Sequence, residues 1–181
     1  AKFLFTVEFF PEEGKYHYDG HRLCQVSMKP EESKAHKNMC PKCGRPLTIG
    51  VLNRVAELAD RPPFSAKEAD SGGKPEGAIP FKSLIPLEEI IADALGVGAV
   101  SKRVREEYEK LVQALGSEFH ILLDEDISDI RSATLPEIAE GIIRVREGRV
   151  KIEPGYDGEY GKIQIFAEGE QQAVTSQKSL F

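Results

Sequence analysis

Apolar and polar residues along the chain follow two different periods, which together predict an α+β protein. Residues 3–9, 150–153 and 162–166 alternate with the period of two that is typical of strands. A glycine-rich segment, residues 154–161, separates the last two stretches. We therefore expect the C-terminal pair to form a β-hairpin with a long loop.

The first helical pattern covers residues 47–60. Its apolar residues recur every three or four positions and should share one face: Val51, Leu52, Val55 and Leu58. The preceding residues 11–46 are rich in turns and poor in large aliphatic side chains, so burial alone cannot hold them together. Residues 61–80 contain Pro-Pro and Ser-Gly-Gly, which predict a flexible loop.

Three further helices are predicted in the C-terminal half. The first begins at Pro86 and ends at Gly96, and the second is capped by Ser101 and ends at Gly116. The third begins at Thr134, extends to about residue 147 and has an apolar side formed by Ile138, Ile142, Ile143 and Val145.

Two short segments between these helices have more than one interpretation. Residues 119–123 are an apolar run that fits either a strand or the start of a buried helix. The carboxylates of residues 124–129 resemble a metal cluster in composition. We expect a solvated acidic turn here.

A metal site is predicted from two pairs of potential ligands. His21 and Cys24 are separated by two residues, and so are Cys40 and Cys43, with fifteen residues between the pairs. Thiolate and imidazole ligands at this spacing suit tetrahedral Zn²⁺. Four protein ligands leave no position for water, so we expect one structural zinc per chain. His17 is an alternative fourth ligand, although it lies too far from Cys24 for a knuckle.

The patterns divide the chain into five predicted segments. They are a strand continuing from a missing N-terminal domain (1–10), a zinc-ribbon module (11–60), a flexible loop (61–80), a helical and hairpin module (81–167) and a polar tail (168–181). The predicted fold is thus a zinc ribbon followed by a helical segment and a C-terminal β-hairpin. Because the chain opens within a strand at Ala1 rather than with Met, we expect it to be a fragment of a longer protein, with removal of an initiator Met as the alternative.

Composition narrows the classes of function. The formal net charge of −6 over 181 residues argues against a general nucleic-acid coat, so any contact with DNA must be local. No apolar stretch approaches the ~20 residues needed to cross a membrane, and the N-terminal residues do not resemble a signal peptide. Three cysteines favour an intracellular metal site over disulfides, which predicts a cytoplasmic protein. No GxxxxGK[ST] phosphate loop is present, so an ATPase motor is excluded.

Four segments resemble the endonuclease Q family of PHP-domain, helicase-related DNA-repair proteins. They are FFPEEGKYHYDGHR at residues 9–22, CPKCG at 40–44, GVLNRVAELADR at 50–61 and GYDGEYG at 155–161. The resemblance implies an enzyme that nicks DNA on the 5′ side of deaminated bases, such as uracil or hypoxanthine, or of abasic sites. It also implies that an N-terminal PHP domain, opened by an H-x-H motif, carries the catalytic metals.

The chain departs from that pattern, because it has four histidines and no H-x-H motif. The resemblance therefore implies the zinc-binding and C-terminal portion of such an enzyme, with the PHP domain as partner. We expect no catalytic residue here and no nuclease activity from this chain alone. Two alternatives from other classes are a zinc-ribbon module that docks partner proteins and a helicase-associated accessory domain.

The candidate DNA-contacting residues fall into two groups. Phosphates are expected to contact the basic residues at the end of the third C-terminal helix, namely Arg144, Arg146, Arg149 and Lys151. Interaction of these cations with the helix C-terminus is the alternative. A flipped base is expected to stack on Tyr156 and Tyr160 of the hairpin loop, unless both tyrosines pack against the hairpin.

The last five residues resemble the pentapeptide that binds bacterial sliding clamps. Gln177, Leu180 and Phe181 are the residues that would fill the groove of the clamp. The alternative is that the two apolar residues anchor the C-terminus on the domain. With DNA and a clamp as partners, the predicted location is the bacterial nucleoid.

Overall fold

The computed structural model describes residues 3–60, 79–167 and 170, and in it the chain forms two compact units. The first, which we call the N-terminal unit, consists of Ala1–Ser83 and Ile152–Lys162. The second, which we call the helical unit, consists of Leu84–Lys151 and Ile163–Phe181. Residues 152–162 thus group with the N-terminal unit, whereas the sequence pattern placed them in one module with residues 81–151. The predicted tail residues Gln177, Leu180 and Phe181, and positions 61–78 of the predicted loop, lie outside the described residues.

The N-terminal unit is built from short elements. Strand β1 (Thr6–Glu8) pairs in parallel with β4 (Phe81–Ser83), and β2 (Asp19–His21) pairs antiparallel with β3 (Val26–Met28). Helices α1 and α2 span Pro30–Ala35 and Val51–Leu58, and two 3₁₀ turns span Pro11–Glu13 and Arg22–Cys24. The predicted strand at residues 3–9 is therefore present in shortened form.

The prediction for α2 was wrong in its start and in its buried face. The backbone N–H and C=O groups of Thr48 bond to those of Gly20, so the chain stays extended there and the helix begins only at Val51. Val51 and Leu58 are 63% and 68% exposed, and the buried residue of the helix is Asn53. A polar contact, described below, therefore orients this helix against its apolar pattern.

The helical unit contains five helices in the described part of the chain. They are α3 (Leu87–Leu95), α4 (Lys102–Leu115), α5 (Glu118–Leu123), α6 (Ile127–Ala133) and α7 (Pro136–Arg146). Their core is aliphatic, and its fully buried side chains include Leu87, Ile90, Ile91, Leu111, Ile121, Ile130, Ile138 and Ile142. At Gly141 of α7 an added Cβ would lie 3.0 Å from a methyl group of Ile90, so glycine permits the close approach of α3.

The predicted helix ends of this unit were largely confirmed. Gly96 ends α3 in the left-handed conformation, and the Ser101 hydroxyl accepts from the Val104 N–H at the start of α4. Thr134 does not cap α7. Instead it follows α6 and donates its hydroxyl to Glu107, and α7 begins at Pro136, where proline is well tolerated.

Two short segments of this region, the acidic turn and the apolar run, are both at least partly helical. The acidic turn contains the start of α6, because the Asp126 carboxylate accepts from the Ser128 N–H and caps that helix. Residues 119–123 lie within α5, so the apolar run is helical rather than extended.

A two-stranded sheet of β5 (Lys151–Glu153) and β6 (Lys162–Gln164) forms the predicted C-terminal hairpin. The boundary between the two units falls within both strands. The α+β class is thereby confirmed, with seven α-helices and three small sheets in the described residues. None of the helices described is long and apolar enough to cross a membrane.

Candidate metal centre and nucleic-acid interface

The predicted metal ligands come together in the N-terminal unit. His21 ends β2, Cys24 ends the following 3₁₀ turn, and Cys40 and Cys43 lie in one tight turn. Their ligand atoms all lie within 4.8 Å of one another, and Cys43 Sγ is 3.4 Å from His21 Nδ1. These four residues can therefore hold a metal ion. His17 is not in the group, since its ring stacks on Tyr18 instead.

The backbone of the second knuckle stabilises a thiolate. The Cys40 N–H donates to Arg45 O at 2.7 Å, and the Gly44 N–H returns to Cys40 O at 2.8 Å with glycine at a φ of +69°. Burial raises the pKa of Cys40, but N–H groups of Lys42 and Cys43 donate to its sulfur and hold that pKa at about 6. A preformed thiolate is the form that a metal ion requires.

Burial, together with the crowding of the three sulfurs, shifts the pKa of Cys24 in the opposite direction. Burial, followed by the hydrogen bonds and charges of Cys43 and Cys40, raises the pKa of Cys24 to about 11. A divalent cation would relieve this repulsion, because it binds all the thiolates at once. The donor set and the electrostatics of the cluster thus both fit a metal ion.

A small apolar cluster surrounds the ligands. Val26, Cys40 and Leu47 are buried in it, and Cys24 and Met28 pack against them. Two of its five members are ligand cysteines, so the core of this region is centred on the metal site.

The hairpin loop is fastened beside the metal site by hydrogen bonds from within the N-terminal unit. Asp157 accepts from the Arg22 N–H at 2.6 Å and from the Thr48 hydroxyl at 2.5 Å. Burial raises the pKa of Asp157, but these two donors and the charge of Arg22 hold it below its ordinary value. Backbone hydrogen bonds also hold the loop, since the Gly155 N–H donates to Glu12 O and the Gly155 carbonyl accepts from the Tyr18 N–H.

The two predicted stacking tyrosines occupy different environments. The Tyr156 ring packs on Gly20, where any Cβ would collide with it, so Tyr156 fixes the loop to β2. Tyr160 is 69% exposed, and the Lys15 ammonium lies 4.5 Å from the centre of its ring. Of the two, Tyr160 is the one whose ring is accessible to a base.

The predicted phosphate-contacting arginines are engaged within the helical unit. Arg144 donates to Glu140 and Glu170 at 3.1 and 2.7 Å. Arg146 donates to the carbonyls of Ile121 and Glu125 and is half-buried. Arg149 pairs with Glu147 and Glu140, while Lys151 is exposed on β5. These bonds to glutamates and to the carbonyls of Ile121 and Glu125 are neither of the two roles considered from the sequence, phosphate contact or interaction with the helix C-terminus.

A buried polar network beside the metal site was not predicted. Asp19 is fully buried, and it accepts from the Ser33 hydroxyl, from the Gly50 N–H at 2.6 Å and from the Asn53 amide at 2.6 Å. This carboxylate ties β2 to α1 and α2. Its partners are 14, 31 and 34 residues away, so no local pattern in the sequence marks it.

Comparison with known proteins identifies relatives over most of the chain. Residues 86–149 match the family described as MJ0043 C-terminal domain. The chain is 37% identical over 156 residues to the uncharacterized protein MJ0043 of Methanocaldococcus jannaschii and 27% identical over 154 residues to the uncharacterized protein YqxK of Bacillus subtilis. Each alignment covers 84% of this chain but only 18% and 33% of those proteins.

Two solved structures are similar as well. The lesion-specific endonuclease PfuEndoQ from Pyrococcus furiosus matches 92% of this chain with 31% identity and a TM-score of 0.72. A complex of endonuclease Q with a 27-mer duplex substrate carrying an abasic lesion at the active site matches 91% with 32% identity and a TM-score of 0.68. This chain spans 40% and 38% of those two chains. The resemblance seen in the sequence is thus confirmed, and the chain is endonuclease Q-like over nearly its whole length.

Proposed function

We propose that this chain is the DNA-binding and lesion-recognition portion of an endonuclease Q-like repair enzyme that nicks DNA on the 5′ side of deaminated bases. The similarity to endonuclease Q bound to a lesion-containing duplex is the observation that carries the proposal. The two endonuclease Q structures match 92% and 91% of this chain. On this proposal the protein acts on DNA of the cytoplasmic nucleoid.

The metal is proposed to be a single structural Zn²⁺ held by His21, Cys24, Cys40 and Cys43. Three sulfurs and one imidazole nitrogen form the soft donor set that zinc prefers. Zinc bound there would cross-link the two knuckles. It would not catalyse hydrolysis, because protein ligands would fill all four of its coordination positions.

The catalytic centre is proposed to lie in an N-terminal PHP domain of the full enzyme. Among the described residues the Cys/His cluster is the one group able to hold a metal, and it supports structure. His17, His36 and His120 lie outside that cluster. Accordingly, this chain with Mg²⁺ or Mn²⁺ should leave lesion-containing DNA uncut.

Exposed apolar residues support a contact with the remainder of such an enzyme. The parallel pair of β1 and β4 carries Val7 and Phe81, which are 40% and 64% exposed, and Phe9, directly after β1, is 67% exposed. Parallel sheets are normally covered on both faces, and two strands are too few for independent stability. We propose that the PHP-containing portion covers this sheet.

Lesion preference tests the proposal. The chain should bind strands that contain uracil, hypoxanthine or an abasic site more tightly than matched undamaged strands. Replacing Tyr160 by alanine should remove most of that preference, about tenfold, because base stacking contributes about 1–3 kcal/mol. Fluorescence anisotropy titrations with labelled duplexes measure it.

Phe119→Ala is the matched control, since Phe119 is 61% exposed but lies on α5, away from the hairpin loop in the sequence. It should leave the preference intact. Binding without preference would favour a helicase-associated accessory domain. Absence of DNA binding would favour a zinc-ribbon module that docks other proteins.

The C-terminal tail is proposed to bind a sliding clamp through Gln177, Leu180 and Phe181. Its support is the sequence motif, because these residues lie outside the described part of the chain. A peptide of residues 177–181 should bind purified clamp with roughly micromolar affinity. A Leu180→Ala, Phe181→Ala peptide that binds equally well would end the proposal.

A further inference from the structure

The segment that carries the Cys/His cluster is basic in an otherwise acidic protein. The whole chain has a formal charge of −6, yet residues 20–48 contain six cationic side chains and only two carboxylates, Glu31 and Glu32. The six are Arg22, Lys29, Lys34, Lys37, Lys42 and Arg45, and all are exposed. Such an asymmetry is typical of a local electrostatic contact with a polyanion.

Three of these cations are positioned by the metal knuckles themselves. Arg22 directly follows the ligand His21, and its N–H is held by Asp157 at 2.6 Å. Lys42 lies between Cys40 and Cys43, and its ammonium donates to Cys24 O at 2.8 Å. An ammonium has three donors, so this bond leaves Lys42 able to contact an anion. The Arg45 carbonyl accepts from the Cys40 N–H at 2.7 Å, which fixes its backbone in the same turn.

Accessible aromatic rings adjoin the same cations. Tyr16 is 50% exposed and Tyr160 is 69% exposed. A Cβ added at Gly158 would lie 3.7 Å from the Tyr16 hydroxyl and 3.7 Å from Arg22 Nη1, so these two groups converge on one point of the hairpin loop. Lys15 lies over the ring of Tyr160. Cations interleaved with open rings are the composition of surfaces that bind unpaired nucleotides.

We propose that this surface, formed by Lys15, Tyr16, Arg22, Lys42, Arg45 and Tyr160, is where the protein contacts the DNA backbone and an extrahelical base. The inference rests on the proposed function, and it deepens that function by locating the contact on the metal-bearing part of the N-terminal unit. Arg144 and Arg149 then serve the helical unit, as their bonds to Glu140, Glu147 and Glu170 indicate.

The salt dependence of DNA binding tests this location. Each lost phosphate contact lowers the slope of log K against log salt by about 0.9. The Lys42→Ala, Arg45→Ala double variant should therefore lower it by about 1.8, measured by anisotropy titrations of a lesion-containing duplex at several NaCl concentrations. The matched control is Lys102→Ala, Arg103→Ala, which removes two exposed cations from the start of α4. The control should leave the slope unchanged.

Because Lys42 also bonds to Cys24 O, the metal content of each variant is measured in parallel. Arg22→Gln is an independent variant, since the described bond of its side chain is an exposed ion pair with Glu159, and it should lower the slope by about 0.9. Unchanged slopes in both surface variants would overturn this location while leaving the proposed function standing. Equal losses in the α4 control would overturn it too, because the contact would then be diffuse. A wild-type chain that does not bind DNA would overturn the proposed function itself.

Discussion

Each of the two units of this chain is stabilised internally by a different kind of interaction. In the helical unit, aliphatic side chains such as Ile90, Leu111 and Ile142 are completely buried, and burial of this kind is the usual source of folding energy. In the N-terminal unit, the apolar cluster consists of Val26, Cys40 and Leu47 with two partly buried neighbours. In place of apolar burial, this unit has directional interactions, namely those of the Cys/His cluster, the Asp19 network and the hydrogen bonds of the hairpin loop.

This difference affects which unit has side chains available for binding DNA. A unit held by an aliphatic core commits many of its side chains to packing, and Arg144, Arg146 and Arg149 pair there with nearby glutamates and carbonyls. A unit held by a Cys/His cluster that can bind a metal and by backbone bonds needs few buried side chains. Lys15, Tyr16 and Arg22 therefore remain exposed at positions where their backbone groups are hydrogen-bonded, and the exposed Tyr160 ring lies against the Lys15 ammonium. The proposed DNA-contacting surface belongs to the second kind of unit.

Removal of the metal should have the largest effect on stability, and it should destabilise the N-terminal unit while leaving the helical unit folded. Binding of structural zinc contributes on the order of 10 kcal/mol in small metal modules, and the cluster around Cys40 offers little else. Treatment with a chelator should leave residues 11–60 unprotected in hydrogen exchange, while α3 and α7 stay protected. Metal analysis should find one zinc per chain beforehand.

Cys40→Ser is the genetic counterpart of chelation, and Ser128→Ala, a change at an exposed position of α6, is its control. Protection of residues 11–60 that survives both chelation and Cys40→Ser would show that the metal is dispensable. Loss of protection in α3 and α7 as well would show that the units do not differ in the way described.

The converse experiment destabilises the helical unit alone, through the substitution Ile142→Ala in α7. Ile142 is fully buried, and removing a buried isoleucine side chain to Cβ costs about 2–5 kcal/mol through lost transfer energy and the cavity left behind. Hydrogen exchange of α3 and α7 should accelerate accordingly, with the metal content still at one per chain. Val100→Ala, at a fully exposed valine, should change neither quantity. Release of metal by Ile142→Ala would mean that the N-terminal unit depends on the helical core.

What could be predicted from the sequence follows the same division. The helical unit is specified by local signals, so Ser101, Gly96 and the aliphatic positions of α7 were interpreted correctly. The clustering of His21, Cys24, Cys40 and Cys43 was predicted correctly because two knuckles have a recognisable spacing. The buried face of α2 was missed, because Asn53 is drawn inwards by Asp19, which lies 34 residues away. The docking of Asp157 onto Arg22 spans 135 residues and has no local signal at all.

The smallest of the expected stability effects concerns Asp19 itself and asks how far polar bonds replace a core. Its carboxylate is fully buried and satisfies the Ser33 hydroxyl, the Gly50 N–H and the Asn53 amide. Asp19→Ala would leave buried donors unpaired, each at a cost of about 1–3 kcal/mol before relaxation or entry of water. We expect a net loss of about 2 kcal/mol, seen as roughly thirtyfold faster exchange of the Gly50 and Leu52 amides in the zinc-loaded protein. Asp129→Ala, which removes an exposed carboxylate from α6, should change that exchange by less than about 0.5 kcal/mol. If the two variants exchange alike, the buried carboxylate does not hold β2 against α1 and α2, and the metal alone would account for the stability of this unit.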